Sequence, residues 1–286
     1  MSIINPITSV NGVIGAELSP LDRGLAYGDG LFETCRMVDG ALPLWPLHEE
    51  RLAAGCERLR IPLEQNKIQA YSQRLISAAG LADGILKIIV TRGVTGRGYR
   101  LPVATEPSYC LSVFPPPVRT EPASALTVTV CQQRLGINPS LAGIKHLNRL
   151  EQVLARAEWE DEQIAEGLLL DVNGHVIEAT AANLFIVRDN QLLTPDLSSA
   201  GVAGVARRLI IEQLAVNAEL VAQVLPITLD DVYRADEIFL CNSIIGIRPV
   251  ARLLGEPVRT FVTGPYTRTL QTAFDDYMYG AKDGRA

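Results

Sequence analysis

Gly143-Ile144-Lys145-His146-Leu147-Asn148-Arg149-Leu150 is where the reading of this chain starts. Lys145 stands just before a helical pattern. Leu147, Leu150, Leu154 and Ala157 recur three or four residues apart, with Asn148, Arg149, Glu151 and Gln152 between them. An ammonium at the positive end of a helix dipole is disfavoured, and so is a buried one. Both effects lower a lysine pKa, and a neutral amine is what Schiff-base chemistry requires. A lone lysine near a helix start also reads as a solvated charge, so the rest of the chain has to decide.

Working outward, the chain has 286 residues, enough for two domains or one large one. Its 48% hydrophobic and 20% charged residues are ordinary for a globular protein with a sizeable core. The net charge of −6 argues against nucleic acid or an anionic membrane surface as the main partner. It leaves room for an anionic small substrate held by a local arginine cluster. Five scattered cysteines without a C-x-x-C argue against a disulfide framework or a zinc site, and for free thiols in a reducing compartment. The N-terminus has no signal-peptide pattern and no apolar run reaches membrane-spanning length, so the expected location is cytoplasmic.

The pattern is α+β, with antiparallel hairpins in both halves. Asn11-Gly12, Asp39-Gly40 and Asn173-Gly174 are hairpin turns. The stretch 19–34 reads as an irregular Gly-containing loop entering a strand. Pro46 opens a helix to about Arg60, and a second covers about 66–80. Strands are expected near 85–91, 109–114, 126–131, 168–171, 175–177, 184–187, 191–194 and 236–241. Further helices are expected near 205–216 and after Gly264-Pro265. Pro115-Pro116-Pro117 and its neighbours suit neither a sheet interior nor a helix. The expected organisation is a smaller N-terminal domain at 1–115, a linker at 116–122 and a larger C-terminal domain at 123–286.

Five further features have chemistry. Glu178 follows a hairpin strand and is either a solvent residue or an inward functional one. Asn183, soon after it, can fix a loop or a phenolic oxygen. The loop at 200–204 enters a helix whose start offers free backbone amides and a positive dipole end that suit a phosphate, although such loops are often only turns. Asn242-Ser243 could add donors, as could Arg51, whose plainer reading is a surface salt bridge. A lysine, a carboxylate and a phosphate cradle are the contacts pyridoxal phosphate needs. His48 and His175 read as solvent-facing or helix-capping. Asp22, Arg23 and Asp29 read as organisers of the first loop, and Asn148 and Arg149 as braces for the lysine loop.

Seven stretches then carry a resemblance. They are SPLDRGLAYGDGLFET at 19–34, LHEERL at 47–52, TRGVTGRGY at 91–99, GIKHLNRL at 143–150, IEATAANLF at 177–185, GVARR at 204–208 and CNSIIGIRPV at 241–250. In this order they resemble the class IV (fold-type IV) pyridoxal-phosphate enzymes over nearly the whole length. The 143–156 stretch and the 91–99 loop look most like that family's aminodeoxychorismate lyase branch.

The resemblance implies two α/β domains with the cofactor in the interdomain cleft, and a homodimer. It implies Lys145 as the Schiff-base lysine and proton shuttle, acting through an external aldimine, and Glu178 as partner of the pyridine nitrogen. It implies Arg51, the amides of Val205 and Ala206, Asn242 and Ser243 as phosphate ligands. For a substrate with two carboxylates, Arg97 is the first candidate, with Tyr99 beside it and Phe32 and Thr34 lining the ring pocket. Arg97 as a loop residue bonding its own backbone stays an equal reading. A class IV aminotransferase acting on D-amino or branched-chain amino acids is the rival. A non-catalytic domain that has kept the fold is the second.

Overall fold

The computed structural model describes residues 6–116 and 125–280. The chain falls into two units: Met1–Val118 with Ile144–Asn148, and Arg119–Gly143 with Arg149–Ala286. Of the expected linker at 116–122, all but Pro116 lies outside the described residues.

The first unit is an antiparallel sheet with helices on one face. It comprises β1 (Ile7–Val10), β2 (Val13–Ile14), α1 (Arg23–Tyr27), β3 (Gly30–Met37), α2 (Trp45–Leu59), α3 (Gln65–Ala79), β4 (Gly84–Thr91) and β5 (Ser108–Phe114). The strand order is β2-β1-β5-β4-β3. Asn11 and Gly12, like Asp39 and Gly40, take positive φ, which suits two-residue hairpins between twisted strands. Strand alternation divides the two faces. Leu31, Cys35, Met37, Leu86, Ile88, Val90, Leu111 and Val113 are buried on the helix side. Phe32, Thr34, Lys87, Ile89 and Ser112 are half-buried on the other.

Two expectations are corrected here. The 19–34 stretch is not wholly irregular. Asp22 accepts from the Gly24 N–H at 2.7 Å and caps α1, which ends on Gly28 in the left-handed region. And Lys145 does not sit at a helix start. The segment Ile144–Asn148 lies along the outer edge of β3, with a bridge between Leu31 and His146. The Phe32 N–H donates to the Lys145 carbonyl at 2.9 Å, and the Leu147 N–H to the Gly30 carbonyl at 3.0 Å. The next helix begins only at Leu150, and a dipole effect fades within one turn. What fixes Lys145 is this backbone pairing.

The second unit holds β6 (Leu126–Leu135), α4 (Leu150–Arg156), β7 (Ile164–Asp171), β8 (His175–Ala179), β9 (Asn183–Arg188), β10 (Gln191–Pro195) and α5 (Val205–Leu209). After a π-helical turn at Ile210–Leu214 come α6 (Ala215–Asn217), β11 (Ala222–Leu225), β12 (Ile227–Thr228), α7 (Leu229–Tyr233), β13 (Glu237–Asn242), β14 (Gly246–Leu253), β15 (Arg259–Thr260) and α8 (Pro265–Tyr279). Its sheet runs β11-β10-β9-β13-β14-β6-β7-β8-β12, with β15 on β14. β6 lies parallel to both neighbours. Asp171 accepts from the Asn173 and His175 N–H groups at 2.9 Å each, which fixes the Asn173-Gly174 turn. The main core gathers Val128, Leu168, Leu184, Ile186, Leu240 and Leu253, and a second cluster gathers Cys131, Leu135, Trp159 and Ile177. Among the described residues no helix is long and apolar enough to cross a membrane.

Candidate active site

In the first unit the Lys145 ammonium lies 4.5 Å from the centroid of the Phe32 ring. Phe32 and Thr34 alternate onto the same face of β3, so Thr34 extends the surface that Lys145 overlooks. A cation over an aromatic face is attracted by the ring quadrupole.

Arg51 is only 12% exposed at its side chain and is engaged by Glu33. Its Nε donates to Glu33 Oε1 at 2.8 Å, and its Nη2 donates to Oε2. His48 Nδ1 lies 2.6 Å from the same Oε2. Burial opposes ionisation of Glu33, but the Arg51 charge and the His48 bond outweigh it and hold the carboxyl at about 2. Burial pushes His48 below its ordinary value, against the pull of Glu33. The surface-salt-bridge reading of Arg51 and the solvent-facing reading of His48 are therefore corrected. His175 is the exposed one, 3.5 Å from Asp171.

Arg97 and Tyr99 stand exposed on their loop. That loop is anchored by Arg23, whose Nη1 donates to the Gly98 carbonyl at 2.8 Å, and by Tyr27, whose hydroxyl accepts from the Gly98 N–H at 3.2 Å. Neither Arg97 nor Tyr99 bonds to Lys145, Phe32 or Thr34 among the described residues. Asp29 joins Arg23 and Arg92, and the Asn148 Nδ2 donates to the Gly28 carbonyl at 3.1 Å. Asp22, Arg23 and Asp29 organise the first loop together with Arg92, and Asn148 braces the lysine loop against it.

In the second unit Glu178 is 5% exposed, which rejects its solvent reading. Its Oε2 accepts from the Val202 N–H at 2.9 Å. Asn183 Nδ2 donates to the Val202 carbonyl at 2.8 Å, so one residue of the glycine loop is gripped from both sides. Gly201 has φ +81, and a side chain there would crowd Ile177 and Glu178. Gly204 precedes the α5 start, where the amides of Val205 and Ala206 have no intrahelical acceptor. Asn242 shapes its turn: Oδ1 accepts from the Ile244 and Ile245 N–H groups at 2.8 Å each, and Nδ2 donates to the Ala181 carbonyl at 2.9 Å. Ser243 is carried on that turn.

The sequence pattern of the amino-transferase class IV family matches residues 30–253. The chain belongs to the class IV aminotransferase family. A relative from Vibrio harveyi described as aminodeoxychorismate lyase is 39% identical over 265 residues, spanning 92% of this chain and 97% of its own. A putative branched-chain-amino-acid aminotransferase from Methanocaldococcus jannaschii is 32% identical, over 91% of each chain. The crystal structure of 4-amino-4-deoxychorismate lyase from Pseudomonas aeruginosa superposes with a TM-score of 0.88 at 44% identity, covering 94% of this chain and 98% of that one.

For this class IV chain, sequence reasoning missed Glu33 and Glu166. Leu31, Glu33, Cys35 and Met37 share one strand face, so Glu33 belonged to the buried side from the start. His48 and Arg51, three apart on α2, share one helix face. Glu166 on β7 accepts from the Thr180 hydroxyl, and burial raises its carboxyl above the ordinary value. No periodicity announces Glu166, because its partner arrives from the β8–β9 connection.

Proposed function

We propose that this chain is a pyridoxal-phosphate-dependent carbon–oxygen lyase. It converts 4-amino-4-deoxychorismate to 4-aminobenzoate and pyruvate. The observation that carries this reading is the full-length similarity to two lyases, at 39% and 44% identity, ahead of the 32% shared with a putative aminotransferase.

The residues fit the cofactor. Lys145 supplies an amine held at a fixed place beside an aromatic face. Glu178 supplies a buried carboxylate whose orientation the Val202 amide fixes. Arg51, the α5 amides of Val205 and Ala206, and Ser243 are the phosphate donors, with Asn242 shaping the turn. Asn183 locks the glycine loop beside Glu178. When bound, the cofactor supplies an electrophilic carbonyl and a protonated ring that accepts electron density.

With the cofactor bound, Glu178 would keep the ring nitrogen protonated. Lys145 would hold the cofactor, and its Nζ would take the proton from the substrate carbon bearing nitrogen. The neighbouring C–O bond breaks with loss of the enolpyruvyl group. Lys145 returns the proton to the methylene carbon, which becomes the methyl of pyruvate, and the six-membered ring becomes aromatic. No keto acid takes part. The protein acts as a homodimer in the cytoplasm, where a reducing medium keeps its five cysteines free.

The test gives purified holoenzyme aminodeoxychorismate without any keto acid and follows 4-aminobenzoate by fluorescence. Product is expected. Absence of product, alongside rapid amino transfer from D-alanine or leucine, would overturn the lyase reading in favour of the aminotransferase.

A further inference from the structure

Arg36 lies on β3 two residues beyond Thr34, on the face that carries Phe32 and Thr34. It is 6% exposed, and its Nε is buried without a hydrogen-bond partner. Among the described residues no carboxylate pairs with it. A guanidinium brings five donors and a permanent charge, so burying one unpaired is strongly unfavourable. Glu33, the nearest carboxylate along the strand, faces the other side and is occupied by His48 and Arg51.

The surroundings are also cationic. In the β3–β4 ladder Thr34 stands opposite Lys87, so the two share a face. The Lys87 Nζ lies 5.7 Å from the Phe32 ring centroid, against 4.5 Å for Lys145. Ser112 of β5 stands opposite Lys87. No strand residue on this face of β1, β3, β4 or β5 is acidic. One sheet face thus carries Arg36 and Lys87 beside two hydroxyls and an aromatic ring, and none of its strand residues is an anion that would balance the two.

We propose that Arg36, assisted by Lys87, receives the ring carboxylate of the substrate, the one opposite the amino group and retained in 4-aminobenzoate. The assignment rests on the lyase reading and names the carboxylate by position. Lys145 works at the carbon bearing nitrogen, beside Phe32. Arg36 is four residues further along β3, roughly 13 Å in backbone terms, part of which its long side chain spans. The carboxylate across the ring from nitrogen falls toward that end. The enolpyruvyl carboxylate branches from the carbon next to the amino-bearing one and stays near Lys145.

The test measures inhibition of the holoenzyme by 4-aminobenzoate and by its neutral isostere, 4-aminobenzamide. The wild type should prefer the acid about tenfold or more, the size of a charge-assisted bond. Arg36→Met should abolish that preference and raise KM about tenfold while kcat changes little. Arg36→Lys should restore part of it. Lys87→Met, at a half-buried site, should weaken the preference roughly two- to threefold. Wild-type preference in both Arg36→Met and Lys87→Met would overturn the assignment. So would an Arg36→Met enzyme that loses kcat and cofactor absorbance together while keeping the preference, since that is a structural role. If the wild type forms no 4-aminobenzoate, the lyase reading fails first and this assignment falls with it.

Discussion

Glu33 is a carboxylate on the core side of a strand, 1% exposed, and it stays there because the Arg51 cation and the His48 ring nitrogen come to it. Its folded value of about 2 lies below the ordinary 4.5, so its stabilisation is complete above pH 4.5 and is lost as pH falls toward 2. His48 is held neutral by burial, below its ordinary 6.5, so unfolding takes up a proton as pH drops below 6.5. Both groups weaken the fold in the same direction. Glu33→Gln leaves Arg51 without its counter-charge and should cost about 3–5 kcal/mol at pH 7. It should also flatten the acid limb between pH 4.5 and 2. Urea midpoints across pH check this, and a wild-type acid limb in the variant would refute it. At this scale the sequence was half legible. Arg51 was read as a cation for a ligand, and the strand alternation that buries Glu33 beside it was there to be read. The unpaired state of Arg36 was not, because only the absence of a neighbouring carboxylate in space makes it notable.

At the scale of elements, hairpins were the most legible feature, since Asn-Gly and Asp-Gly turns dictate their own backbone. β14 was not, because Pro249 argues against a strand interior, yet it stands opposite Phe239 in the ladder. The α5 start shows what sequence cannot convey: why the loop before it needs glycine. Gly204 has an ordinary φ of −65, so no backbone strain requires glycine there. The requirement is space: a Cβ at this position would come within 1.9 Å of the Asn183 Oδ1. Asn183 cannot easily withdraw, because its Nδ2 is bonded to Val202 and the residue is buried. Arg207 adds a second tether, its Nε donating to the Thr194 hydroxyl at 3.0 Å. Asn183→Ala alone should cost about 1–3 kcal/mol by orphaning the Val202 carbonyl. Gly204→Ala alone should destabilise through the clash. Combined, the two should cost less than their sum, because removing the amide makes room for the methyl. A thermal-denaturation cycle reads this coupling, and strictly additive losses would show that the two residues do not press on each other.

Across the whole molecule, α4 separates what periodicity reveals from what it leaves out. Leu150 and Leu154 carried the spacing that marks the helix. In the structure they are 75% and 58% exposed, with Val153 at 60%, and Ala155 is the residue turned inward. The spacing was right for a helix but said nothing of what covers the stripe. Three large exposed apolar side chains within about one turn of a surface helix are a feature that monomers seldom carry without a partner. The partner that agrees with the homodimer reading is a second copy of this chain. Full burial of each such side chain is worth about 1.5–3 kcal/mol, so three from each protomer form a substantial share of a dimer interface. Leu154→Asp should therefore move the protein from dimer to monomer in sedimentation equilibrium. Its circular dichroism should not change, because an exposed side chain carries little of the fold. A wild type that sediments as a monomer, or a variant whose dimer dissociates at the wild-type concentration, would show that this stripe is not where two copies meet.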